Sequence, residues 1–154
     1  MAIKFIRKNR QIGVNDLFEN ILGNDKIKNE LINSVKQNKY SHSYLFLGTS
    51  GIGKRLIARE FAKMILCEGE EKYCGKCKSC LEFDSNNNPD FLEIEPDGNN
   101  VKIEQIREMQ RKIVEQPIIS SKKVYIIDDA DTMTREAQNC LLKTLEEPPE
   151  FVTI

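Results

Sequence analysis

The sequence has almost no imbalance of charge: 23 Lys and Arg stand against 24 Asp and Glu, a formal net charge of -1 over 154 residues. That excludes a whole-surface attraction for nucleic acid or an anionic membrane, so any DNA contact needs a local patch. Long apolar runs are missing too. No segment approaches the roughly 20 consecutive apolar residues of a membrane-spanning helix, and no signal-peptide core precedes the first acidic residues. These absences predict a cytoplasmic protein with no membrane partner. Histidine is nearly absent. His42 alone, just before SYLFL, has no neighbours with which to form a catalytic or metal-binding set, and packing beneath the start of that apolar run is the plainer expectation. No internal repeat is visible, and the only low-complexity tract is three asparagines at 86–88.

What is present suits an ordinary globular chain, with 40% hydrophobic and 31% charged residues and enough length for one domain with a core. Lys4, Arg7, Lys8 and Arg10 mark residues 1–17 as a basic N-terminal segment, for which a frayed terminus is the simple reading. Residues 18–154 form the domain. NDKIKNELINSVKQN at 24–38 spaces Ile27, Leu31 and Val35 four apart, predicting an amphipathic helix capped by Asn24 or Asp25. SYLFL at 43–47 reads as a short buried strand. KRLIAREFAKMIL, from Lys54, puts Leu56, Ile57, Phe61, Met64 and Ile65 on one helical face. FLEIEP at 91–96 alternates like a strand. Residues 101–115 read as a helix through Ile103, Ile106, Met109 or Gln110, and Ile113; VYIID at 124–128 is a strongly buried strand. TREAQNCLLKTLEE at 134–147 is a helix stopped by Pro148 and Pro149. FVTI at 151–154 begins a further strand and stops, which predicts a C-terminally truncated piece of a longer chain. Strands alternating with helices predict an α/β fold, a parallel sheet flanked by helices on both faces.

The strand-to-helix junction GTSGIGKR carries the first chemistry. Gly48, Thr49, Ser50, Gly51, Ile52, Gly53 and Lys54 match G-x-x-x-x-G-K, a loop whose backbone N–H groups and following helix terminus cradle phosphate while the Lys reaches the β- and γ-phosphates. Its competing interpretation is a plain glycine-rich turn. The next position normally supplies a hydroxyl to Mg²⁺; here it is Arg55, which removes a ligand and adds a cation beside the metal's seat. The milder alternative swings Arg55 out to solvent. Either way, binding of ATP with Mg²⁺ is expected to be weakened.

VYIIDDAD at 124–131 is a Walker B arrangement, four apolar residues followed by Asp128 and Asp129. Asp128 would orient Mg²⁺. Asp129 stands where AAA+ ATPases usually carry the Glu that polarises the attacking water, and Asp is one methylene shorter. A misplacement near 1 Å costs about 10²-fold in rate. The competing interpretation is an acidic strand end that caps the next helix.

Cys67, Cys74, Cys77 and Cys80 fall within residues 67–80 in the pattern C-x6-C-x2-C-x2-C. Two-residue gaps let thiolates converge on one ion, and four sulfurs close a tetrahedral shell, so the expected cofactor is structural Zn²⁺. An iron–sulfur cluster and a disulfide pair are the rivals. The ferredoxin pattern continues x3-C-P, whereas LEFD follows Cys80, and a cytosolic setting disfavours disulfides. Cys140, in the last helix, is expected to be a small buried residue.

The ordered set HSYLFLGTSGIGK, the four-cysteine insertion after the phosphate-loop helix, NNNPDFLEIEPDG and VYIIDDADTMTREAQNCLLKTLEEPP resembles the bacterial DNA polymerase III clamp-loader subunits, from about residue 18 to 154. The resemblance implies the N-terminal part of an AAA+ P-loop NTPase-type domain with an inserted zinc module at 67–80. It implies as partners the other clamp-loader subunits (tau/gamma and delta) and, through the assembly, the sliding clamp and primed DNA. Two kinds of subunit share this plan: an ATP-hydrolysing tau/gamma kind with GKT or GKS, and a stationary delta-prime kind with degenerate nucleotide motifs. GKR at 53–55 and DDAD at 128–131 look like the second, with ATPase activity of its own weak or absent. An active tau/gamma-type subunit is the alternative. A zinc-ribbon DNA-binding module is a third, with Lys72, Lys76 and Lys78 around the cysteines offset by Glu68, Glu70 and Glu71.

Overall fold

The computed structural model describes residue 18 and residues 21–154; the basic segment 1–17 lies outside them. The elements in chain order are α1 (Asp25–Lys36), α2 (Lys54–Leu66), α3 (Lys78–Asp84), β1 (Phe91–Ile94), α4 (Ile103–Ile113), β2 (Lys123–Ile127), a 3-10 turn (Ala130–Thr132), α5 (Arg135–Glu146) and β3 (Val152–Thr153). The three strands form a parallel sheet in the order β1-β2-β3, with Phe91 opposite Val124, Ile94 opposite Ile127 and Lys123 opposite Val152.

Alternation along the strands feeds two cores. Phe91, Val124 and Ile126 turn to the face covered by α1, α2 and the cysteine segment, where Leu31, Val35, Phe61, Ile65 and Phe83 are buried. Leu92, Ile94, Tyr125 and Ile127 turn to the opposite face against Ile106, Met109 and Ile113 of α4 and Ala137 and Leu141 of α5. The expected two-sided parallel sheet is therefore present. On α4 the buried third position is Met109, while Gln110 Nε2 donates to Cys140 O and Thr144 Oγ1 of α5, each at 2.8 Å. Lys123 is a buried cation; its Nζ donates to Lys112 O at 2.9 Å, at the negative end of α4. Thr134 caps α5, its Oγ1 accepting from Ala137 N–H.

Several local expectations fail, each for a visible reason. SYLFL forms no strand. Among the described residues its only ladder partner is Ile154, which donates to His42 O at 2.8 Å and accepts from Tyr44 N–H at 2.9 Å; beyond that rung Leu45 and Leu47 are 75% and 83% exposed. His42 is exposed and contributes its carbonyl rather than packing under a strand. Ile27 and Leu56 are exposed, because α1 and α2 meet each other and the sheet one residue further round; Lys28 takes the buried place on α1 and donates to Ile21 O. Asn24 sits at the N-cap of α1 in left-handed conformation without a side-chain cap bond. Cys140 is half-buried, its Sγ 3.1 Å from Gln110 Oε1. Among the described residues no helix is long and apolar enough to cross a membrane.

Candidate functional site

Gly48–Gly53 bends between the segment paired with Ile154 and the start of α2. Gly51 and Gly53 sit at φ +77° and +93°, where a side chain is strained, and Gly53 is the N-cap of α2. A glycine cap offers no side-chain acceptor, and the first turn of α2 holds no acid. It carries two cations instead, Lys54 and Arg55, at the end of a helix already positive by its dipole. Such an arrangement favours an anion in front of the turn. Lys54 Nζ lies over the loop, donating to Gly48 O and Thr49 O at 3.1 and 3.2 Å. Thr49 and Ser50 are exposed, and Ile52 N–H closes the turn onto Thr49 O.

Arg55 does not swing out to solvent. Its Nε donates to Glu93 Oε1 at 2.7 Å, its Nη2 pairs with Glu95, and its Nη1 lies 3.4 Å from Asp128 Oδ2. The guanidinium thus bridges the end of β1 and the end of β2, in front of the acid expected to orient a metal. Hydrogen bonding to Glu93, the largest influence, holds Arg55 in its charged form above its ordinary range, against the opposing effect of burial. Asp129 takes a left-handed backbone at the N-cap of the 3-10 turn (φ 45°); its side chain makes no cap bond, although its carbonyl accepts from Thr132 N–H and Oγ1. The structure therefore brings Gly48–Arg55 and Asp128 together and leaves Asp129 exposed beside them.

The sequence reading overlooked Glu93, Glu95 and Arg59. Glu93 in β1 and Glu95 just past its end are two residues apart and point to the same side, and Arg55 and Arg59 are one turn apart on α2, a pairing of period two against period four that the residues alone displayed. Glu93 is only 9% exposed and accepts from both arginines.

The four cysteines converge. All four Sγ atoms lie within 4.8 Å of one another, with Cys67 at 3.7 Å from Cys74 and 4.0 Å from Cys77. Ligands at the ~2.3 Å zinc–sulfur distance of a tetrahedral site stand about 3.8 Å apart, so one ion fits these four. None of the five cysteines is joined in a disulfide. Cys74 N–H and Cys77 N–H point at the sulfurs of Cys67 and Cys74 at 3.3 Å, donors that favour thiolate. The Cys67 thiol is pulled well below its ordinary range, chiefly by a hydrogen bond from Cys80, while the same contact pushes Cys80 up.

A polar bracket ties this module to the body. Asp90, 2% exposed, accepts three backbone N–H groups, from Ile118 on Oδ1 and from Ile119 and Ser120 on Oδ2, each at 2.7 Å. Ser120 Oγ meets Ser79 Oγ of α3 at 2.8 Å, and Asn88 Nδ2 donates to Ser79 O and Oγ. Glu68 accepts from Ser121 N–H and Oγ.

With this geometry in hand, comparison with known proteins gives the class: the family model described as "DNA polymerase III, delta subunit" matches residues 23–154, and the chain belongs to that family. Among its curated relatives are the DNA polymerase III subunit delta' of Bacillus subtilis (43% identical over 119 residues, 77% of this chain and 36% of the relative) and the subunit tau/gamma of Haemophilus influenzae (39% over 137 residues, 88% and 20%). The crystal structure of a DNA polymerase III gamma subunit-related protein from Thermotoga maritima superimposes with TM-score 0.54 and 26% identity, covering 80% of this chain and 38% of that one. The chain therefore spans well under half the length of these relatives.

Proposed function

We propose that this chain is part of a clamp-loader subunit of the delta-prime kind, a stationary subunit that helps open the sliding clamp and place it on primed DNA. One observation carries the reading: Arg55 stands at the hydroxyl position of the phosphate loop and is ion-paired with Asp128, where a working site would gather Mg²⁺. The loop glycines, Lys54 and the positive helix end still suit a polyphosphate. Mg²⁺, when bound to such a site, shields the phosphates and stabilises the charge of transfer. Here a guanidinium already neutralises Asp128, so the loop serves chiefly as architecture. The partners on this reading are tau/gamma and delta subunits.

Cys67, Cys74, Cys77 and Cys80 are, on the same reading, a closed thiolate shell for structural Zn²⁺. The second functional reading, an ATP-hydrolysing subunit of tau/gamma type, is favoured by the longer matched span with that kind of relative. Two measurements separate them. Nucleotide binding by the full-length subunit should change little when Mg²⁺ is removed. In a complex whose motor subunits lack their own phosphate-loop lysines, ATP hydrolysis should stay at background. Vigorous Mg²⁺-dependent turnover in that complex would overturn the delta-prime reading.

A further inference from the structure

Three cations stand four residues apart along one side of α2: Arg55, Arg59 and Lys63. Each grips a different layer. Arg55 holds Glu93, Glu95 and Asp128 at the phosphate-loop end. Arg59 pairs with the other oxygen of Glu93, donates to Asn86 Oδ1 at 2.9 Å, and lies over the rings of Phe83 and Phe91 at 5.5 and 5.4 Å. Lys63 pairs with Asp84 at 3.0 Å, donates to Tyr73 OH at 3.2 Å, and lies over the Tyr73 and Phe83 rings. Phe83 and Asp84 belong to α3, the helix that also carries Cys80, and Tyr73 precedes Cys74. The row thus runs without a gap from the four sulfurs to Asp128.

From this we infer that Arg59 and Glu93 are positioning residues through which the cysteine module fixes Arg55 against Asp128. The chain of holds is short. Four sulfurs gathered on one ion order α3; α3 presents Phe83, and the turn just after it presents Asn86, to Arg59; Arg59 takes one oxygen of Glu93 and so turns the other toward Arg55 Nε. Glu93 is nearly buried, and a carboxylate with one oxygen already held loses little freedom when it accepts the second guanidinium. Loosening the module frees Glu93 to rotate, and Arg55 then leaves Asp128 more often. The inference rests on the reading of the cysteines as metal ligands, and coupling of this kind is reciprocal, so Arg55 in turn steadies the module.

The test reads the Arg55 Nε–H directly by nitrogen NMR on the full chain, with no nucleotide present. In zinc-loaded protein that proton should exchange slowly with water. Stripping zinc, or Arg59→Gln with zinc retained, should each speed exchange by about tenfold, the scale of one lost charge-assisted hydrogen bond. The two together should add little, because they act on one path, and Arg59→Lys should restore part of the protection. Backbone amides of α4 and α5 report whether the body stays folded. Where stripping unfolds it, Asn86→Ala in zinc-loaded protein takes its place and should also speed exchange. Exchange at Arg55 unchanged when the module is loosened, or changed only by Arg59→Gln, overturns the coupling. Zinc content on the same samples separates failure of the metal reading from failure of the coupling: protein that never holds a metal overturns both, whereas zinc-loaded protein whose Arg55 exchange ignores the module overturns the coupling alone.

Discussion

Asp90→Asn tests the bracket that holds the cysteine module to the sheet. The wild-type carboxylate spreads three backbone N–H donors over two oxygens, one on Oδ1 and two on Oδ2, all at 2.7 Å and almost out of reach of solvent. An amide has only one acceptor. Its best placement sets the oxygen toward Ile119 and Ser120, leaving its NH₂ facing Ile118 N–H. One part-buried donor is then unpaired, at about 1–3 kcal/mol, and two hydrogen bonds lose their charge assistance, at roughly 0.5–1 kcal/mol each. Asp90→Asn should therefore lower the free energy of unfolding by about 2–5 kcal/mol. With a urea slope of about 1–3 kcal/mol/M, the midpoint should fall by about 0.7 M or more. Hydrogen exchange should place the damage: amides of 118–120 lose protection first, then those of α3, which is bound to the same loop through Ser79. A loss under about 1 kcal/mol would refute the assignment of these bonds as stabilising.

Four further outcomes follow from the same geometry. Purified protein should contain about one zinc per chain, Cys77→Ser should abolish it, and chelation should lower the melting temperature; iron with inorganic sulfide on elemental analysis would refute the zinc reading. Arg55→Thr with Asp129→Glu in the assembled complex should make nucleotide binding Mg²⁺-dependent, read as affinity with and without chelator. Thr134→Ala, losing the cap of α5, should cost about 1 kcal/mol in denaturant unfolding. Full-length subunit should co-purify with tau/gamma and delta, while residues 1–154 alone bind them weakly or not at all.

The strong periodicities were legible from the residues. VYIID and the spacing of Ile106, Met109 and Ile113 fixed β2 and α4 to within a residue or two, because each element buries one unbroken apolar set. GxGK at a turn before a helix and four cysteines at short gaps are local patterns, so their placement could be read locally. SYLFL misled because composition reports burial only if a partner lies alongside, and among the described residues Ile154 alone does. Asp90 and Asn88 were hidden in what reads as a polar loop, since their partners at 118–120 and 79 lie far along the chain. Glu93 escaped for the opposite reason: its strand was recognised, and an acid on a strand looks like a solvated position until Arg55 and Arg59 are set over it.

The single rung between residues 42–44 and Ile154 has a consequence for how the chain is made. Tyr44 and Ile154 are separated by roughly 110 residues, so the segment that leads into the Gly48–Gly53 loop must wait until Ile154 has been made. At bacterial synthesis rates of about 5–20 residues per second, that wait lasts on the order of 5–20 seconds. During it, α1 and α2 can form locally, while the backbone of residues 42–44 lacks its partner and Leu45 and Leu47 stay exposed, as they are in the folded chain. The Gly48–Gly53 loop is thus fastened only after β1, α4, β2 and α5 have been made, and a nascent chain stalled before β3 offers an apolar, unpaired stretch to any chaperone that scans for one.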